Sequence, residues 1–303
     1  MHPKMFFPTW TVEPRWPRSL VRETQICWQV VVYDFSSTVM PAFLFSTAAW
    51  VSASSPKAMI WALLHNLVYF CLYAFTFCLS NQIAGIEEDR INKPTRPLVT
   101  GLVSYRGAQV RWVVSMVLFT LLGWSLGVVE WTLLWQASLT MYNFGGWAKK
   151  WFTKNLVMSL GVVAQLAAAW QLVTPLTLTA WCWILVVAGV VFPLISLQDL
   201  RDIDGDRSIG RKTFPLAVGE NATRAILGIG FALLPVIVHY ILMQPAGNAW
   251  YVLLCEMGVT IISLTIAIRV VMCRTMEGDH RTYMLFTYWY CGILSSAIII
   301  MAA

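Results

Sequence analysis

NQIAGIEEDRINKPTRPLVTG, residues 81–101, holds three acids and three bases, whereas the twenty-five residues before it are almost uncharged. The surrounding chain gives that contrast its meaning. Hydrophobic residues make up 58% of the 303 and charged residues only 12%, with a mean hydropathy of +0.65. Soluble domains carry about 25% charged residues, so the composition is that of an integral membrane protein. Apolar windows recur near 25–52, 58–82, 107–127, 128–146, 155–172, 176–198, 222–243, 249–272 and 282–302. Each is about long enough to cross a ~30 Å hydrocarbon layer as helix. The expected fold class is all-α integral membrane, with about nine transmembrane helices in one bundle. One membrane domain fills 1–303, behind a short cytoplasmic N-terminal segment, 1–24.

Lys and Arg accumulate on the cytoplasmic side of short loops. With a cytoplasmic N-terminus, 20 of the 21 basic residues sort to that side and only Lys57 to the other. This predicts an odd number of spans with the C-terminus on the luminal side. A topology signal also accounts for the net charge of +6, which removes the need for a nucleic-acid partner. No cleaved signal peptide is evident around Trp10, Pro14, Trp16 and Pro17. The seven cysteines lack metal spacing and read as small buried hydrophobes.

Seven of the fifteen acids occupy two short stretches, Glu87-Glu88-Asp89 and the Asp199, Asp202, Asp204 and Asp206 of SLQDLRDIDGD. Both lie at cytoplasmic ends of expected spans. On a continuing helix, Asp199, Asp202 and Asp206 share one face. Asn81 and Asp89, about two turns apart, also look the same way, with Glu88 beside Asp89. Two facing stripes of hard oxygen ligands suit magnesium, which takes one or two carboxylates per ion and bridges to phosphate oxygens. Lys93, Arg96, Arg201, Arg211 and Lys212 are placed to bind the same phosphate. A single acidic loop at a span end is ordinarily just solvated. Two on one side, each with helical acid spacing and basic neighbours, point to a charged ligand at the membrane surface.

These stretches resemble the two Asp-rich motifs of the UbiA superfamily of intramembrane prenyltransferases. Residues 81–101 are similar to NDxxDxxxD followed by NKPxRPxxxG, and SLQDLRDIDGDRSIGRKTFPLAVG, 196–219, to DxxDxxxD with its trailing GRKTxP. By position, the resemblance implies metal and diphosphate ligation by Asn81, Asp89, Asp199, Asp202 and Asp206, with Lys93, Arg96, Arg211 and Lys212 on the diphosphate. Gln82 and Gly85 depart from it, standing where Asp is usual, and Glu88 is the candidate replacement. The fold implied is a nine-helix bundle around a central cavity open at the cytoplasmic side. The location expected is the endoplasmic reticulum membrane.

The implied chemistry is Mg2+-dependent ionisation of an allylic prenyl diphosphate, farnesyl diphosphate being favoured, in a water-poor cavity where aromatics stabilise the cation. Trp61, Tyr69, Phe70, Phe75 and Tyr142 are candidate lining. The deviant first motif resembles the fungal membrane-bound terpene cyclases more than the quinone-pathway transferases, so cyclisation is the favoured outcome. Transfer to an aromatic or other polar acceptor is the alternative. A channel or transporter is disfavoured, because its acids would spread through span centres. No protein partner is expected.

Asp34 and Glu256 are acids inside expected spans, where a carboxylate is costly and functional by default. Asp34 is the stronger candidate, as a proton acceptor near the cation or an orienting group. Tyr142 and Asn143, in MYNFGGWAKKWFTKN, are candidates to cap the site. His65 and His239 read as satisfied polar residues.

Overall fold

The structure, a computed structural model, describes residues 18–53 and 58–302. Most of the N-terminal segment, with Lys4 and Arg15, lies outside the described residues, as does Lys57. Described residues are helical throughout, apart from turns and one isolated bridge between Lys150 and Lys212. The α-helices are α1 (Arg18–Val31), α2 (Phe35–Ser52), α3 (Met59–Ala84), α4 (Ile86–Asn92), α5 (Tyr105–Ser125), α6 (Val129–Asn143) and α7 (Trp151–Gln171). There follow α8 (Leu178–Leu194), α9 (Leu197–Arg201), α10 (Ile203–Ser208), α11 (Phe214–Val218), α12 (Glu220–Val238), α13 (Trp250–Met272) and α14 (Met276–Ala302).

Each expected span carries a helix, but length separates them. Among the described residues, seven helices are long and apolar enough to cross a membrane. An eighth crossing requires α1 and α2 to count as one span despite a bend of 86° between them. The window expected at 128–146 forms α6, whose 15 residues reach only about 22 Å. The expected count of nine full spans is therefore not reproduced by length.

Local chemistry sets several boundaries. Ser104 caps α5 by accepting from Gly107 N at 3.1 Å, and Thr177 caps α8 by accepting from Ala180 N at 3.1 Å. Each satisfies a backbone donor that the first turn leaves unpaired. In sequence order, α2, α3, α5, α6, α7, α8, α12, α13 and α14 pack each on the next, and α14 closes back on α2. The connections α4 and α9–α11 gather at one end of this circuit, α10 packing on α4 and α9 on α14.

Side chains follow the polarity a bilayer imposes. Large apolar groups such as Leu185, Ile229 and Ile261 are exposed on the outside, while polar groups pair inside. Ser46 Oγ donates to the Asn66 amide oxygen, and Tyr290 Oη donates to Gln165 Oε1 at 2.9 Å. Glu256 takes its partner from another helix, lying 2.7 Å from His239 Nδ1.

Arg224 ties α12 to α14. It is 2% exposed and donates to both oxygens of Asp279 at 2.8 Å, to Glu220 Oε1 at 2.8 Å and to Val270 O at 2.9 Å. Removing one partner of such a pair strands a buried charge. Arg224→Met is expected to cost about 3–5 kcal/mol, read as a lower melting temperature of the purified protein.

Candidate active site

The first acidic stretch is shaped by a helix break. Gly85 ends α3 and precedes α4, and a Cβ there would lie 3.0 Å from Asn81 O. Asn81 and Asp89 do not share the face of one helix, as the spacing suggested. They meet because the chain turns at Gly85 and Arg96 folds back over both. Arg96 Nη1 donates to Asp89 Oδ2 at 2.7 Å and to Asn81 Oδ1 at 3.2 Å. Both partners of the Arg96–Asp89 pair are buried. Asn143, at the end of α6, accepts from Asn81 Nδ2 at 3.3 Å and donates to Ser80 Oγ at 2.8 Å. Gln82 instead donates to Val30 O at 3.3 Å, bracing α1 rather than joining this cluster.

The second stretch breaks as well. Pro193 lies one residue before the end of α8, and a second break falls at Asp202 between α9 and α10. Asp199, Asp202 and Asp206 therefore do not form the single helical stripe expected of them. Each has its own cation. Lys154 of α7 pairs with Asp199. Arg201 grips both oxygens of Asp202 at 2.9 Å, reaches His280 Nδ1 at 3.0 Å and lies over the Tyr283 ring.

Arg211 joins the two stretches. It contacts Glu88 at 2.8 and 3.1 Å and Asp206 Oδ1 at 3.2 Å. Glu88 of the first stretch and Asp206 of the second thus share one guanidinium. Lys212 is held differently, its backbone N donating to Lys149 O and its O accepting from Trp151 N, while its side chain is exposed. Lys93 also has an exposed side chain, so the two lysines differ from Arg96, Arg201 and Arg211, which are buried or half-buried.

Asp34 is not in the middle of a span. It lies at the break between α1 and α2, where Cys78 Sγ donates to its Oδ2 at 3.3 Å. Its charge acts on Lys93 and Arg201, so it belongs to the polar end of the bundle. Burial pushes the Glu88 and Asp89 carboxyls up, with Arg211 and Arg96 opposing the shift. Burial also acts on Asp202, but the hydrogen-bonded Arg201 outweighs it and holds that carboxyl below its usual range.

Below the charged end, ring contacts descend from Tyr142 to Phe77 at 5.8 Å, Phe77 to Trp135 at 5.2 Å and Trp135 to Tyr73 at 4.5 Å. Tyr69 and Phe70 belong to the same buried cluster. Phe75 packs against a different one, and Trp61, 59% exposed, lies on the outer surface.

The buried atoms without a hydrogen-bond partner at the charged end include three on charged groups, Asp199 Oδ2, Asp206 Oδ2 and Arg96 Nε, and also Asn155 Oδ1, on the same segment as Lys154. Each of these charges is ion-paired through its other atoms, but the two orphaned acceptors suit a cation and the orphaned donor an anion, because a buried polar atom without a partner is costly. Hard carboxylate oxygens are the donors magnesium prefers, so the residues fit that ion. Among the described residues, no three acidic, histidine or cysteine side chains converge closely enough to hold a metal by themselves. Arginines and Lys154 separate them.

Sequence reasoning missed Lys154, Asn155, Ser196, Ser80 and His280 as parts of this cluster. One available signal was a lysine four residues into a helix that begins on the same side as both acidic stretches.

Comparison with known proteins agrees with this geometry. The chain is 44% identical to somaliensene A/B synthase of Streptomyces somaliensis over 93% of its length and 94% of that protein's. It is 33% identical to diterpene cyclase eriG of Hericium erinaceus, over 91% of this chain and 88% of that one. It is also 31% identical to polyprenyl transferase eriF of the same fungus, over 86% and 89%. Its fold resembles that of a UbiA homolog from Archaeoglobus fulgidus bound to GPP and Mg2+, with a TM-score of 0.69 at 12% identity, covering 92% of this chain and 100% of that one. The profile of the UbiA prenyltransferase family matches residues 38–290, and the chain belongs to that family of membrane proteins.

Proposed function

We propose that this protein ionises an allylic prenyl diphosphate at the charged end of the bundle and cyclises the resulting cation, releasing diphosphate. The observation that carries the reading is the set of orphaned atoms, two carboxylate oxygens and one guanidinium nitrogen within one buried cluster. Such a site is incomplete without a cation and an anion together. Asn81, Glu88, Asp89, Asp199, Asp202 and Asp206 are the residues to hold magnesium, which when bound offsets negative charge on the departing diphosphate.

Arg96, Arg201 and Arg211, with Lys93, bind the phosphate oxygens, each guanidinium having donors beyond those used on its carboxylate. The allylic C–O bond breaks with its electron pair going to the diphosphate oxygen. An internal double bond then attacks the cation, and loss of a proton closes the product. Asp34, beside Lys93, orients the diphosphate end or accepts that proton. Tyr142 and Asn143 cap the chamber, and the rings below Tyr142 favour the cation through cation–π attraction of roughly 0.5–2 kcal/mol each.

Similarity to the somaliensene synthase and to eriG favours cyclisation over transfer. Similarity to a diterpene cyclase adds geranylgeranyl diphosphate to the farnesyl diphosphate expected from the motifs. The transferase reading keeps support in the 31% identity to eriF and the lower similarity to naringenin 8-dimethylallyltransferase 2 of Sophora flavescens. The charge distribution turns the active site to the cytoplasm. Because the relatives include a bacterial protein, the endoplasmic reticulum applies only in a eukaryotic host.

Purified protein in lipid nanodiscs, given either diphosphate and magnesium but no acceptor, is expected to release a cyclic terpene detectable by gas chromatography. Prenyl alcohol or unreacted substrate alone, with turnover appearing on addition of a phenolic acceptor, would replace cyclisation by transfer.

A further inference from the structure

Lys154, on the first turn of α7 and in a buried ion pair with Asp199, has no part in the roles assigned above. Lys154 is 5% exposed and pairs with Oδ1 of Asp199, which is 0% exposed and whose Oδ2 has no partner. The neighbouring Asn155 donates to Ser196 Oγ at 2.8 Å, just ahead of α9. Backbone bonds from Lys149 and Trp151 to Lys212 hold the far side of the same segment. The start of α7 is thus fastened to both ends of the second acidic stretch. Lys154 also acts electrostatically on Asp202 and Asp206.

We propose that Lys154 is a positioning residue for the metal–diphosphate site, acting through Asp199. With Oδ1 taken by the ammonium, Asp199 presents a single oxygen, Oδ2, to a cation. A carboxylate free to rotate could instead offer both oxygens to one ion or turn to a nearby guanidinium. Lys154 also offsets one negative charge where Asp199, Asp202 and Asp206 repel one another, an adjustment no exposed lysine could make through water. Partners that orient a ligating carboxylate typically matter by 10–100-fold in metal affinity.

The inference rests on the magnesium–diphosphate reading, and the test separates the two. Magnesium plus inorganic diphosphate is titrated calorimetrically into the wild-type protein, Lys154→Met, Lys154→Arg and the double variant Lys154→Met/Asp199→Leu, with melting temperatures recorded for each. Replacing a buried ion pair by apolar groups is often neutral for stability, so the double variant is expected to melt near wild type. Its affinity is expected to fall at least about 10-fold, as in Lys154→Met, while Lys154→Arg stays within about threefold. Wild-type affinity retained in Lys154→Met, with only the melting temperature lowered, shows a purely structural staple and overturns the proposal alone, whereas wild-type affinity retained in the double variant also removes Asp199 from the metal site. Absence of wild-type binding overturns it together with the reading of the site.

Discussion

Asp206→Ala is expected to lower turnover at least ~10²-fold, and by more than Asp202→Ala does. The two residues carry the same charge in the same segment, and their surroundings decide the order. Asp206 is 2% exposed, with one oxygen on Arg211 and the other unpaired. Removing it deletes the oxygen most in need of a cation, at a place where water cannot substitute. Asp202 has a side chain 39% exposed, and both its oxygens are engaged by Arg201. Water can partly replace it. Steady-state rates at saturating magnesium check the prediction, and an Asp206→Ala rate near wild type would remove this residue from the site.

The second large effect belongs to Arg211. Arg211→Met is expected to reduce turnover by ~10²-fold or more, comparable to losing one preorganised electrostatic contact. The same change leaves Glu88 and Asp206 facing each other with no guanidinium between them, so the contact of α4 with α10 also weakens. Arg211→Lys should recover only part of the rate. An ammonium restores the charge but not the planar fork that reaches Glu88 and Asp206 at once. Equal rates for the lysine variant and wild type would show that charge alone is needed. Melting temperatures measured alongside distinguish a lost contact from a lost fold.

The amino-acid sequence by itself determined the fold class, because apolar runs long enough to span a bilayer, with charges confined to their ends, admit helices and little else. It also determined which residues are chemically able to serve, since acids and bases are scarce in this chain and concentrate in two stretches. Similarity of those stretches to known motifs was enough to identify the family. Helix breaks were less legible. Periodicity extended α3 and α8 through Gly85 and Asp202, whereas the chain turns at both, and the acids converge through those turns rather than along a stripe. Gln82 illustrates the difference, occupying a motif position yet bracing α1 through Val30.

Pairing was decided by the tertiary structure alone. Arg211 meets Glu88 across 123 residues, Lys154 meets Asp199 across 45, and His239 meets Glu256 on a neighbouring helix. Local spacing carries no record of such partners, because which charges neutralise one another depends on how helices distant in sequence pack. For the same reason Lys212, equivalent to Arg211 in the motif, has an exposed side chain, and Asp34 moved from an assumed mid-span position to a bend beside the charged cluster. Composition and pattern decide what a chain can bury and what it can ligate. Packing decides which charge each buried group faces, and that is a property of distances between helices.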